Sequence, residues 1–154
     1  MQLTTFTDYS LRVLIYLGTH TDSIVTITDI ANGFGISRNH IIKIIYNLSR
    51  QGLIQTVRGR HGGILLAQSP SHINLANIIL QTEPNFNLVE CFRPDGKCCI
   101  SPACMLRGVL YEAYYSFFRT LGNYTLADIL KNKGELEPLF NSENISFRAS
   151  RHIQ

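Results

Sequence analysis

Apolar side chains recur at helical spacing along the N-terminal third of the chain. Leu11, Leu14, Ile15 and Leu17 share one face of a helix whose start is signalled by Thr7-Asp8-Tyr9-Ser10. Thr26-Ile27-Thr28-Asp29 has the form of a capping box, with Asp in place of the preferred Glu. A short helix therefore begins there, and Gly33 and Gly35 end it. Ser37 caps the next helix. Its Ile41, Ile44, Ile45 and Leu48 follow the i, i+3, i+4, i+7 rule, which leaves Arg38, Asn39, Lys43, Tyr46, Asn47 and Arg50 on other faces. Two short helices joined by a glycine-containing turn, the second polar and basic on its free side, predict a helix-turn-helix over about 28–51.

The period changes after Gly52. Leu53 to Arg58 and Ile64 to Ala67 read as strands on either side of Gly59-Arg-His-Gly-Gly63, a hairpin with a basic tip over about 53–67. A helix-turn-helix followed by such a hairpin is the winged-helix order, in which the second helix enters a major groove and the wing reaches neighbouring phosphates. Asn74 caps a short helix to Leu80, closed by Pro84. Ser101-Pro102 starts a long helix to about Leu121, with Leu106, Leu110, Ala113, Phe117 and Leu121 as one stripe. Met105, Val109, Tyr111, Tyr114, Tyr115 and Phe118 carry the apolar surface onto further sides, which predicts burial on more than one face. In a chain of 154 residues the second partner is expected to be the same helix of another subunit, with packing inside one monomer as the alternative. Thr125-Leu-Ala-Asp128 caps one more short helix.

The expected fold is mainly α with a small β-hairpin wing: a winged helix-turn-helix domain over 1–83, a cysteine-bearing loop over 84–101, a dimerisation helix and short following helix over 102–131, and a flexible tail over 132–154, frayed from about Asn141.

Composition narrows the class. At 45% hydrophobic the chain fills a core, which excludes disorder throughout. The run Val13 to Leu17 is too short to span a bilayer, and no signal peptide is read, so a cytoplasmic, reducing location is expected with no membrane partner. No Ser-His-Asp arrangement or phosphate-binding loop argues for an enzyme. The net charge is only +3, but its distribution matters: no acidic residue lies between Asp29 and Glu83, where Arg38, Lys43, Arg50, Arg58 and Arg60 fall with His40, His61 and His72. A solvated basic face is the bland explanation. Combined with the helix-turn-helix and the wing, the pattern makes double-stranded DNA the expected partner, contacted by Thr28, Ser37, Arg38, Asn39, His40, Lys43, Arg50, Arg58, Arg60, His61 and Gly62.

All four cysteines lie in CFRPDGKCCISPAC: Cys91, Cys98, Cys99 and Cys104. In a reducing compartment such a group means metal or redox chemistry more often than disulfides. Zinc knuckles pair cysteines as C-x-x-C, whereas the separations here are seven, one and five residues. Adjacent Cys98 and Cys99 are poorly placed to share one small ion. Thiolates at Cys91, at Cys98 or Cys99, and at Cys104 are better suited to an iron-sulfur cluster; structural zinc and a metal-free redox thiol set are the alternatives. Cys104 is expected in the first turn of the helix after Ser101-Pro102, where exposed amides attract a thiolate, and Arg93, Lys97 and Arg107 offset a cluster's charge. Three cysteines with one outside ligand suit 2Fe-2S or 4Fe-4S equally.

The segments MQLTTFTDYSLRVLIYL, SRNHIIKIIYNLSRQGLI, VRGRHGG, CCISPAC and GNYTLADIL together resemble the iron-sulfur winged-helix transcription regulators, above all their nitric-oxide-sensing members, over residues 1 to about 130. The resemblance implies a homodimer that binds operator DNA when loaded with its cluster, represses nitrosative-stress defence genes, and releases DNA when nitric oxide attacks the iron. Sensing of iron-sulfur status or redox by a related regulator, and a zinc-stapled DNA-binding module, are the other readings. Carried over by position, the family's C-x5-C pair falls on Cys98 and Cys104 with Cys91 as first ligand, leaving Cys99 as an extra thiol. Cluster-biogenesis regulators of this kind have a histidine ligand three residues after the last cysteine, where this chain has Arg107. The fourth ligand must then come from elsewhere or from a small molecule; the resemblance implies Asp8 of the partner subunit, with an ordinary acidic residue in the first turn of the N-terminal helix as the alternative role for Asp8.

Overall fold

The computed structural model describes residues 2–140. Helices α1 (Thr5–Thr19), α2 (Ile27–Phe34) and α3 (Arg38–Arg50) lead into strands β1 (Ile54–Val57) and β2 (Gly63–Leu66). After these come α4 (Leu75–Thr82), α5 (Met105–Gly122), α6 (Leu126–Ile129) and α7 (Lys133–Leu136). Short 3₁₀ turns lie at Pro70–His72, Glu90–Phe92, Ser101–Ala103 and Glu137–Phe140.

α1 is the hub of the core. Thr4 caps it, its Oγ1 accepting the Thr7 N–H at 3.2 Å. The Thr4 N–H donates in turn to Glu83 Oε1 at 2.7 Å, which ties the start of α1 to the residue after α4. Val13, Leu14 and Leu17 are buried, and α1 packs on α3, α4, α6 and β2. Gly18 gives α6 room to close on α1, since a Cβ there would meet the methyls of Leu130.

The helix-turn-helix forms as the caps predict. Thr26 and Asp29 make the reciprocal box, with the Thr26 N–H donating to Asp29 Oδ2 at 2.9 Å and the Asp29 N–H to Thr26 Oγ1 at 3.2 Å. Gly35 ends α2 at φ 65°, ψ 32°, the left-handed conformation glycine adopts without steric cost, and so turns the chain into α3. Ser37 Oγ accepts the His40 N–H at 3.4 Å, while Ile41, Ile44, Ile45 and Leu48 are buried. β1 and β2 pair antiparallel with Ile54 opposite Leu66 and Val57 opposite Gly63. Val25 joins this sheet, exchanging N–H···O bonds with Ile64 at 3.1 and 2.8 Å, so the wing is anchored just ahead of α2.

Four features differ from the pattern-based expectation. α1 starts at Thr5 under its Thr4 cap, ahead of the Thr7-Asp8-Tyr9-Ser10 signal. The long helix does not begin at Ser101-Pro102: those residues make a separate 3₁₀ turn, Cys104 is extended at φ −79°, ψ 107°, and α5 starts at Met105. The proline does initiate a helical turn, but the chain breaks at Cys104, so the thiol loop runs through residue 104. Residues 133–140, expected within a flexible tail, form α7 and a 3₁₀ turn. Phe140 packs on Tyr16 and Phe34 with ring centroids 4.8 and 5.2 Å apart, an apolar anchor that a composition-based reading of the tail overlooks. The fraying expected from about Asn141 onward lies outside the described residues. Finally, α5 has no fully buried residue: one side is half-covered by the preceding loop and α4, while Met105, Leu106, Val109 and Tyr115 leave an apolar side exposed, Met105 at 85% and Tyr115 at 67%.

Two stability measurements follow. Phe140→Ala is expected to cost about half of the ~4 kcal/mol typical of a fully buried phenylalanine, roughly 2 kcal/mol in urea unfolding; an unchanged midpoint would leave residues 133–140 without a packing role. Asp128 caps α6: hydrogen bonding from the Thr125 N–H, then Lys131 and the Thr125 hydroxyl, hold its carboxyl down from 3.8 to about 2. A depressed carboxyl stabilises the fold above its unfolded value and loses that contribution as pH falls through the folded one. The difference in unfolding midpoint between the native chain and Asp128→Asn should therefore be full above pH 3.8 and vanish towards about 2.

Candidate cluster site and nucleic-acid interface

The cysteine loop is held to α5 by aromatic contacts. Phe86 meets Phe118 edge-on at 4.9 Å, and Phe92, next to Cys91, stacks on Tyr111 at 4.1 Å and 17°. Burial among neighbouring rings, with Tyr115 and Tyr111 beside it, pushes the Tyr114 phenol up. Glu90 closes the loop upon itself: its carbonyl accepts the Arg93 N–H at 3.0 Å and its Oε1 the Lys97 N–H at 3.0 Å. The Ser101 N–H then donates to Cys98 O at 3.1 Å. Cys104 occupies the N-cap of α5 with no side-chain cap bond, so that helix end keeps amides available to an acceptor.

These turns bring Cys91, Cys98 and Cys104 to the wall of one cavity of about 200 Å³, whose other walls include Val89, Ile100, Leu106 and Leu110. Cys99 is exposed and does not line it. Glu90 and Arg107 complete the lining, and the Arg107 guanidinium also lies 5.7 Å from the Tyr111 ring centroid. Among the described residues no three His, Cys, Asp or Glu side chains are grouped tightly enough to hold one metal ion. Three thiols on one cavity wall are a donor set that would fit an iron-sulfur cluster, and Cys99 is not among them.

Asp8 does not line this cavity in its own chain. Its carboxylate is taken by Arg12 one turn along α1, Nη2 to Oδ2 at 2.7 Å and Nε to Oδ1 at 3.1 Å. The same guanidinium lies 5.5 Å from the Tyr9 ring and 6.0 Å from the Phe34 ring. Tyr9 in turn faces His40 of α3, with centroids 6.3 Å apart, above a small cavity also bounded by Phe6, Lys43 and Ile44. Contacts therefore run without a break from Asp8 to both helices of the helix-turn-helix. Residue spacing alone does not display this path, because it crosses from α1 to α2 and α3; the only local signal is the i, i+4 Asp-Arg pair.

Of the residues expected at DNA, Ser37, Arg38, Asn39, His40, Lys43 and Arg50 are exposed at the start or on the outer side of α3, and Arg58, Arg60 and His61 are exposed at the wing tip. Thr28 is half-buried and accepts a hydrogen bond from Arg38 Nη1 at 2.6 Å, so these two form one unit bridging α2 and α3. Gly62 closes the wing, its N–H donating to Gly59 O at 3.0 Å; a Cβ there would collide with Val57 O. Ion pairs among the described residues join Asp8 to Arg12 and Asp128 to Lys131, and none engages the cations of α3 or the wing. Their field is left uncompensated over this face.

Residues 3–132 match the Rrf2 family, described as an iron-dependent transcriptional regulator. The chain is 47% identical over 141 residues to the HTH-type transcriptional regulator NsrR of Halalkalibacterium halodurans, covering 90% of this chain and 97% of that one. To NsrR of Bacillus subtilis it is 45% identical over 141 residues, covering 90% and 97%. Among solved structures, T. potens IscR superposes with a TM-score of 0.70 at 26% identity, covering 86% of this chain and 88% of that one. CymR, the global cysteine regulator of B. subtilis, superposes with a TM-score of 0.70 at 24% identity over 84% and 95%, a likeness of fold. The uncompensated basic face on a helix-turn-helix and wing, and the extent of these matches, lead to one conclusion: the chain is a transcriptional regulator, not an enzyme, and belongs to the Rrf2 family.

Proposed function

We propose that this chain is a nitric-oxide-sensitive repressor of nitrosative-stress defence genes, acting in the cytoplasm as a homodimer on operator DNA. The observation that carries the reading is the convergence of Cys91, Cys98 and Cys104 on one cavity beside α5 while Cys99 faces solvent. Those three thiols, with Asp8 of the partner subunit, would hold an iron-sulfur cluster, 2Fe-2S or 4Fe-4S. When bound, that cluster supplies iron with which nitric oxide reacts. The names of the relatives support the nitric-oxide branch, and Arg107 at the position of the related regulators' histidine leaves the fourth ligand to come from elsewhere.

The chain's own residues supply the rest. Val89, Ile100, Leu106 and Leu110 make the wall around the thiols apolar, and Arg107 beside them offsets negative charge. The exposed apolar side of α5 is the surface for the second subunit, which brings its α1 to this loop. Arg12 engages both Asp8 oxygens. When the neighbouring subunit claims one of them, the bidentate pair is weakened and the cation over Tyr9 and Phe34 is less tightly held. Tyr9 bears on His40, so the change reaches the helix that enters the major groove. Spacing between the two α3 helices of the dimer then sets the fit to two half-sites.

Operator affinity measured for cluster-loaded, cluster-free and nitric-oxide-treated protein is expected to fall from the first to the other two; equal affinities would sink the switch, and a response to cluster loss alone would favour sensing of iron-sulfur status. Iron and sulfide analysis with an absorption spectrum of anaerobically purified protein should show the cluster in Cys99→Ser and lose it in Cys91→Ser, Cys98→Ser and Cys104→Ser. At the wing, Arg58→Ala and Arg60→Ala should weaken binding to all duplexes alike and flatten the salt dependence by about one unit of slope for each phosphate left without its cation. A change of sequence preference instead would place these arginines at base edges.

A further inference from the structure

α3 turns two apolar side chains to solvent, Ile42 at 45% and Tyr46 at 66% exposure. Tyr46 is covered on one side by Arg50, whose guanidinium lies 5.8 Å from its ring centroid. Ile42, like Tyr46, belongs neither to the core cluster nor to the partly buried hydrophobics packed against it. One step of about 100° round the helix from buried Ile41 carries it out of the core. It emerges between Arg38 and the exposed stripe of Asn39, Lys43 and Tyr46.

A lone exposed isoleucine elsewhere would mean nothing. Here it stands in the first half of the helix, ringed by two cations and an amide on a face with no acidic residue. Whatever covers Ile42 is therefore a polyanion that also offers an apolar group at the same depth. In a major groove that group is the C5-methyl of thymine, the only apolar feature on the base edges. Asn39 beside it has the two-pronged amide that suits adenine. We infer that Ile42 is a specificity-determining residue that reads a thymine methyl in each operator half-site. The inference rests on α3 being the helix that reads DNA.

The test starts from a duplex selected out of a random-sequence library by the full chain purified anaerobically. Each thymine is then replaced singly by deoxyuridine, which keeps the base pair and removes only the methyl. The native protein should lose about three- to fivefold in affinity at one or two positions per half-site, the value of one buried methyl-sized group. Ile42→Ala should bind the unmodified duplex more weakly by a similar factor and be indifferent to uracil at those positions, while Ile42→Val keeps most of the sensitivity. A silent uracil scan, an Ile42→Ala protein that retains the native uracil profile, or a selection that yields no preferred duplex overturns the proposal. Asn39→Ala and His40→Ala separate the layers: if both leave the selected sequence unchanged, α3 is not the reading helix; if they alter it while the uracil scan is silent, only the role of Ile42 falls. Side chains this exposed carry little of the fold, and matching thermal unfolding of the variants confirms that binding alone is being read.

Discussion

The packing of α1 is the constraint on which the other arrangements depend. Val13, Leu14 and Leu17 are shared between the helix-turn-helix, the wing and the elements that follow it, so this one helix cannot shift without disturbing all of them. Its outer side carries Asp8, Arg12 and Tyr9. A close-packed helix moves as a body, and whatever engages Asp8 therefore acts on the same rod that α3 leans against. The C-terminal turn adds to this rigidity: Phe140 closes an aromatic group with Tyr16 and Phe34, bracing α1 against the end of α2.

The thiol loop is ordered by different means. It contributes no buried hydrophobic residue to the core, and its conformation depends on ring stacking against α5 and on short backbone bonds around Glu90. Such a segment is only loosely joined to the remainder of the domain, as the proposed release of a cluster without unfolding of the DNA-binding half would require. α5 holds the loop through Tyr111 and Phe118 while Met105, Val109 and Tyr115 stay exposed, the side proposed to meet the second subunit.

At the opposite end, the face formed by α3 and the wing is charged without counter-ions and partly pre-arranged. Arg38 is already held by Thr28, so less side-chain freedom would be lost in the DNA contact proposed for it. The wing arginines have no such restraint, which fits the sequence-independent backbone contact expected of them.

Local signals in the sequence determined the helix-turn-helix, the hairpin and most boundaries: Thr26 with Asp29, Ser37, Asn74 and Thr125 with Asp128 cap where their chemistry dictates, because a capping side chain acts on amides two or three residues away. The acid-free basic interval and the four clustered cysteines were likewise legible, since charge and residue type need no folding to be counted. Spacing could not separate Cys98 from Cys99, because adjacent residues differ in direction only once the backbone around Gly96 and Ile100 is set; the fold points Cys98 to the cavity and Cys99 away. Nor could it foresee the break at Cys104, the anchorage of Phe140, or the path from Asp8 through Arg12 and Tyr9 to His40. Each of these joins residues from elements distant along the chain. Such contacts are decided by how packed helices cross, which no local pattern contains.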